Sequence, residues 1–221
     1  MSEPIVVAID GPSGSGKSTV ARAIAKDLGW SYLDTGSMYR AMTWYLQDLG
    51  IPLNSVAEVV AAAPGAEIRP STDPLIPGVH VGDTDVSDPI RGAEVTSAVS
   101  AVSAIPEIRA QLVELQRSIA SQARNGIVLE GRDIGSVVMP KAQLKLFITA
   151  DPQARAQRRA AEIDAEVSQI QESIFQRDQA DSTRATSPLE IAPDAILIDT
   201  TDMQLAEVID HVMQLIGDID G

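Results

Sequence analysis

A parallel sheet with helices on both faces, an α/β fold, is the architecture this sequence encodes, and three observations lead to it. Short, continuous apolar runs recur along the chain, the mark of strands buried on both sides. Stretches with helical periodicity alternate with them, which makes neighbouring strands parallel. The chain has 221 residues, 44% of them hydrophobic and 22% charged, enough for one sheet-centred domain with a buried core. Only 3% are aromatic, so that core must rest on Ala, Val, Ile and Leu.

Residues 5–10 read IVVAID, a buried strand, and a glycine-rich turn follows. Residues 18–28 place Val20, Ile24 and Leu28 on one helical face. Residues 31–34 form a second short strand. Residues 37–49 form a helix with Met38, Met42, Tyr45 and Leu49 along one side. The alternation breaks at residues 64–87. There Pro64, Pro70, Pro74 and Pro77, with Gly65, Gly78 and Gly82, punctuate short β-like pieces at 78–81 and 84–86, which predicts a small β-rich insertion. Residues 93–102 and 106–124 return to helix, with Pro106 suited to a first turn. Strands are expected at 127–130 and 144–149, charged helices at 152–163 and 168–181, a last strand at 195–199 and a closing helix at 203–215. No repeat or flexible linker divides the chain, so residues 1–221 are read as one domain.

Charge narrows the function. Lys and Arg number 17 against 31 acids, a net charge of −14. A broad nucleic-acid surface needs cations to neutralise phosphates, so none is expected, whereas a local basic pocket for a small anion is compatible with this balance. The chain has no Cys, which excludes disulfides and thiolate metal sites. His80 and His211 are isolated and read as surface or packing residues. The first residues are polar and lack the basic flank and apolar length of a leader. No apolar run approaches the roughly 18 residues of a membrane span. A cytoplasmic, monomeric protein without membrane or nucleic-acid partners is expected.

Residues 11–18, Gly11, Pro12, Ser13, Gly14, Ser15, Gly16, Lys17 and Ser18, match G-x-x-x-x-G-K-[ST] in full, between a predicted strand and a predicted helix. Glycines let the backbone curl so that N–H groups converge on an anion, and the helix N-terminus adds partial positive charge. Lys17 would reach the β- and γ-phosphates of a bound nucleotide, and the Ser18 hydroxyl would ligate Mg²⁺. The fold is thus expected to be of the P-loop nucleotide-binding type. The motif does not name the reaction. Switch GTPases usually add an N-K-x-D segment, absent here; motor ATPases usually place an acid after an apolar strand, and residues 127–130 (IVLE) satisfy that.

Arginines decide the reading further. Phosphoryl transfer requires positioning and charge neutralisation more than covalent chemistry, and arginine binds phosphate oxygens bidentately while staying charged. Arg40 follows the second strand, Arg132 and Asp133 follow residues 127–130, and Arg155, Arg158 and Arg159 follow residues 144–149. Arg177, Asp178, Asp181 and Arg184 come later. Three of these groups stand at or beyond strand carboxyl ends, where open parallel sheets bind ligands.

The segments GPSGSGKST, LDTGSMYRA, EGRDIGSVVMP and RDQADSTRATSPL, in this order and spacing, make the chain resemble bacterial cytidylate kinase along nearly its whole length. That resemblance implies a kinase transferring the γ-phosphoryl group of ATP to CMP and dCMP, with Mg²⁺. It implies that Gly11 to Ser18 and Thr19 hold ATP, and that Arg40, Arg132 and Arg184 grip the acceptor phosphate. Thr35, Arg109 and Asp133 would contact cytosine; Ser100, Arg177 and Asp181 would contact the sugar. Arg155, Arg158 and Arg159 would belong to a lid over the transferring phosphate. The insertion (about residues 64–101) would bind the acceptor nucleotide, and the lid would span about residues 155–184. Cytosine fits the assigned pair chemically: Asp133 accepts from its amine while Arg109 donates to N3 or O2, and uracil reverses that pattern. Arg177 and Asp181, four apart, would pair on one helix face. Residues 160–169 lack the Lys-Gly pair of many relatives and carry Glu162, Asp164 and Glu166 instead.

Overall fold

The computed structural model describes residues 4–163 and 166–220, so Asp164 of the acidic lid segment lies outside the described residues. The elements run β1 (Ile5–Asp10), α1 (Lys17–Leu28), β2 (Ser31–Asp34), α2 (Thr35–Asp48), α3 (Val56–Ala62), β3 (Ile68–Pro70), β4 (Val79–Val81) and β5 (Thr84–Asp85). They continue with α4 (Ala93–Ser103), α5 (Pro106–Ser121), β6 (Gly126–Gly131), β7 (Leu144–Thr149), α6 (Pro152–Ile163), α7 (Val167–Thr183), β8 (Ile196–Asp199) and α8 (Leu205–Asp220).

The main sheet has the order β2-β6-β1-β7-β8, and all its pairings are parallel. Side chains alternate faces along each strand. Val6 and Ala8 of β1, Leu33 of β2 and Leu129 of β6 join one apolar cluster with α2, α4 and α5. Val7, Ile9, Tyr32 and Val128 join the other, with α1 and α8. Sheet registers pair Asp10 with Gly131, Asp34 with Glu130 and Thr149 with Asp199. The carboxyl ends of the strands therefore share one edge, and the polar residues that follow them open onto it.

The expected β-rich insertion is present as an antiparallel sheet of order β3-β4-β5. Ile68, Val79 and Val81 bury into the cluster under α2, and the backbone N–H of Tyr32 donates to Thr72 O at 3.0 Å. The insertion is thus packed onto the outer strand of the main sheet. Two features escaped the periodicity reading. Helix α3 is short and buries only Val59, too little to leave a pattern. Residues Ile134–Val138 form one wide π-type turn, with Val138 N–H bonded to Asp133 O at 3.1 Å and Met139 N–H to Ile134 O at 2.7 Å. Such turns cluster at functional sites.

Gly11 leaves β1 at φ 148°, and a Cβ there would stand 2.0 Å from Ile148 O on the adjacent strand. Positive φ and a backbone clash both oppose any side chain. Gly11→Ala is expected to destabilise the protein by about 3 kcal/mol or more, the overpacking and left-handed costs together. A urea-unfolding midpoint close to that of the parent would contradict this packing.

Candidate active site

The loop at residues 11–18 curls as its glycines permit: Gly14 has φ 74° and Gly16, at the start of α1, φ 89°. It is also held from outside. Arg155 of α6 donates to Ser13 O at 3.0 Å and to Ala150 O at 3.0 Å. Asp178 of α7 accepts from Ser13 N–H at 3.0 Å and pairs with Arg155. Both polar groups of the Ser13 peptide are therefore bound by charged side chains from elsewhere in the chain, fixing the loop before any phosphate arrives.

A cavity of about 170 Å³ lies over this loop, lined by Lys17 and Ser18, by Arg40 and Arg91, and by Glu130 and Arg132. Arg159 and Arg177 line it from the α6 and α7 side. Burial, with Arg132 beside it, pushes Lys17 down to about 7, and its ammonium donates to Pro12 O at 2.8 Å. Burial and the neighbouring Arg132 and Arg40 push Arg177 down to about 9. Arg40 is fixed by hydrogen bonds to Ile90 O and Thr96 Oγ1, each 2.9 Å. Cations crowded around one small cavity in an acidic protein repel one another, and a polyanion would relieve that repulsion.

Glu130, at the end of β6, faces the same cavity and is 4% exposed. It accepts from Ser18 Oγ at 2.8 Å and from the Tyr32 hydroxyl at 2.5 Å. Burial and the nearby Asp34 raise its pKa above the usual carboxylate range. An oxygen pair of this kind at a phosphate loop fits Mg²⁺, which takes one or two protein oxygens and completes its shell with water and substrate phosphates. Among the described residues no cluster of three or more His, Cys, Asp and Glu side chains forms a cage of its own.

Beyond Arg132 a buried ladder of ion pairs begins. Arg132 Nε donates to Asp181 at 2.9 Å. Asp181 faces Arg184 at 3.8 Å, Arg184 faces Asp133 at 3.6 Å, and Asp133 pairs with Arg109. The Arg109 guanidinium also lies 5.2 Å above the Tyr39 ring, a cation–π distance. Thr35 closes the group from the first residue of α2, its hydroxyl donating to Glu130 O at 2.7 Å. Several buried polar atoms here lack a hydrogen-bond partner: Tyr39 OH, Arg109 Nε, one Arg184 terminal nitrogen and both amide atoms of Gln116. Buried polar atoms without a hydrogen bond, gathered in one place, call for an explanation.

The structure sorts the expected residues by what they touch. Lys17, Ser18, Thr19, Arg40, Arg132, Arg159 and Arg177 line the phosphate cavity. Thr35, Arg109, Asp133, Asp181 and Arg184 form or adjoin the ladder. Ser100 lines a larger cavity of about 870 Å³ between α4 and α7, shared with Arg177 and Arg159. The expected Arg177–Asp181 pairing is not the observed one: Asp181 takes Arg132 and Arg184 as its partners. The arginines of α6 part company. Arg155 braces the loop, and Arg158 donates to Thr200 Oγ1 at 2.9 Å and Thr200 O at 2.6 Å. Arg158 lines a further cavity of about 570 Å³ with Gly14, Thr19 and Leu205.

Four contributors were missing from the expected site. Arg91 lines the phosphate cavity from the insertion, and Glu130 and Tyr32 have been described above. Asp10, 5% exposed, accepts from Ile134 N–H and Gly135 N–H, each at 2.7 Å, and so anchors the turn that carries Asp133. Burial pushes its carboxyl up to about 6. An acid closing a buried apolar strand was the available signal for both Asp10 and Glu130; Tyr32 left none.

Comparison with known proteins agrees with this geometry. A family model described as cytidylate kinase matches residues 7–218. A protein named cytidylate kinase from Streptomyces avermitilis is 53% identical over 213 residues, covering 96% of this chain and 92% of that protein. One of the same name from Corynebacterium glutamicum is 47% identical over 217 residues, covering 96% and 94%. An uncharacterised protein of known structure from Eubacterium ventriosum has a TM-score of 0.51 at 13% identity, covering 96% of this chain and 98% of that one, a likeness of fold alone. With the family model spanning almost every residue and relatives half-identical along the same length, this chain belongs to the cytidylate kinase family.

Proposed function

We propose that the protein transfers the γ-phosphoryl group of ATP to CMP and dCMP, giving ADP and CDP or dCDP. The observation that carries this reading is the buried ladder. At one end Asp133 and Arg109 offer the acceptor and donor that cytosine requires; at the other Arg132 enters the phosphate cavity. Asp133 keeps capacity for a further donor, because a carboxylate accepts at about four lone-pair sites. In this reading the loop and Lys17 hold the donor phosphates, Arg40, Arg132 and Arg184 hold the acceptor phosphate, and Ser100 and Arg177 adjoin the sugar. Asp181 acts on the acceptor by orienting Arg132.

The acceptor oxygen is already anionic, so no general base is needed. The chain's task is to set donor and acceptor in line, exclude water and neutralise spreading charge. Mg²⁺ neutralises the β- and γ-phosphates when bound, and Ser18 and Glu130 would hold it. Residues 64–101 serve as the acceptor-binding insertion and residues 155–184 as a lid, within one monomeric domain. Among the described residues no helix is long and apolar enough to cross a membrane. That, with the net charge of −14, supports a cytoplasmic enzyme that does not bind nucleic acid.

An ADP-release assay across CMP, dCMP, UMP, AMP, GMP and shikimate tests the proposal. CMP and dCMP should be fastest, with little ADP formed in the absence of an acceptor. A preference for a purine monophosphate or for shikimate would overturn it.

Arg132→Ala and Arg184→Ala each remove a charge-assisted hydrogen bond to the acceptor phosphate, worth about 1.5–3 kcal/mol. Each should lower kcat/KM by about tenfold or more, equally for CMP and dCMP, which share that phosphate. A loss confined to one of the two acceptors would contradict the assignment.

A further inference from the structure

Tyr32 lies in β2, the outer strand of the main sheet, and is 2% exposed. It belongs to the apolar cluster with Val20, Ile24 and Val128, where a phenylalanine would pack as well and would need no buried hydrogen-bond partner. Its hydroxyl nevertheless has one, donating to Glu130 Oε1 at 2.5 Å. The other oxygen of the same carboxylate accepts from Ser18 at 2.8 Å. One buried carboxylate is thus shared between a loop hydroxyl that lines the phosphate cavity and a phenol set in the core. Three torsions separate the Glu130 carboxylate from its backbone, and the phenol restrains them by binding the oxygen that Ser18 does not.

We propose that Tyr32 is a positioning residue for the divalent cation: by holding one oxygen of Glu130, it keeps the other beside Ser18 and the ion next to it. The inference rests on the reading that Ser18 and Glu130 hold that cation. A hydroxyl has one proton and two lone pairs, so Ser18 keeps its bond to Glu130 while a lone pair faces the metal. Glu130 then acts as an oriented acceptor, and Tyr32 stands behind it. Outer partners of this kind commonly change metal affinity by about 10–100-fold when removed. The backbone N–H of Tyr32 is itself bonded to Thr72 O in the insertion, at 3.0 Å, so the strand that carries the phenol is tied in place.

The test is Mn²⁺ titration of the ADP-saturated protein, read by the electron paramagnetic resonance of the ion, beside ADP binding without divalent cation. Tyr32→Phe should weaken Mn²⁺ by about tenfold or more and leave metal-free ADP binding unchanged. A folded Tyr32→Phe protein with parental Mn²⁺ affinity would overturn the proposal. Glu130→Asp supplies the second arm. Its carboxylate, one methylene shorter, no longer reaches the phenol, so adding Tyr32→Phe there should change Mn²⁺ affinity less than twofold. A full further loss in that background would show that Tyr32 acts through packing, and would overturn the proposal too. If Glu130→Gln leaves Mn²⁺ affinity at the parental value, the assignment of Glu130 to the cation fails, and the proposal with it, while the kinase assay above stands independently.

Discussion

Lys17→Met is expected to lower kcat by about 10²–10³-fold, the scale of losing one preorganised charge or donor from a transition state, while the fold survives. Lys17 is 5% exposed, and burial with Arg132 beside it has pushed it down to about 7. Its ammonium donates to Pro12 O at 2.8 Å. Phosphate oxygens brought to the loop would favour the charged form and take over that donor. Methionine fills nearly the same volume without burying a charge, so thermal stability should be equal or higher. Steady-state kinetics with ATP and CMP, beside a thermal melt, decide the matter. Near-normal turnover in a folded variant would end the phosphate-loop mechanism.

Asp133→Asn should lower the CMP-over-UMP ratio of kcat/KM by about one to two orders of magnitude. The change places an amide donor where the cytosine amine needs an acceptor, and a polar group left unpaired in this way costs about 1–3 kcal/mol. The O4 of uracil gains a partner from the same change. Total activity should fall as well, because Asp133 pairs with both Arg109 and Arg184. Breaking a buried pair is itself costly, about 3–5 kcal/mol when one partner is deleted outright. Asparagine keeps one carbonyl oxygen for Arg109, which moderates that loss. The ratio isolates base choice from these common effects. An unchanged ratio would make Asp133 a structural member of the ladder with no part in reading the base.

Much of this molecule was legible as a string. The runs at 5–10, 127–130 and 144–149 became β1, β6 and β7 because a strand covered on both faces needs continuous apolar side chains. The phosphate loop was recognisable because its glycines answer a purely local demand for positive φ, met at Gly14 and Gly16. The cluster of proline and glycine at 64–87 marked the insertion. Helix α3 and the wide turn at Ile134–Val138 were not legible. One buries too little to impose a period; the other is held by Asp10, far away in sequence.

The partners of the charged residues belong to the tertiary structure. Helical spacing suggested Arg177 for Asp181, since residues four apart share a face. The fold instead brings Arg132, from the end of β6, to Asp181 at 2.9 Å. Three arginines on one helix looked equivalent, yet one braces Ser13, one holds Thr200 and one lines the phosphate cavity. Periodicity and motif spacing are properties of neighbouring residues, so the chain alone determined the elements, the anion loop and the demand for cations near it. An ion pair depends on which strand ends lie side by side and on where each helix returns to the sheet. Those distances are settled only when the whole core packs, and with them the division of this arginine set among the loop, the cavity over it and the buried ladder.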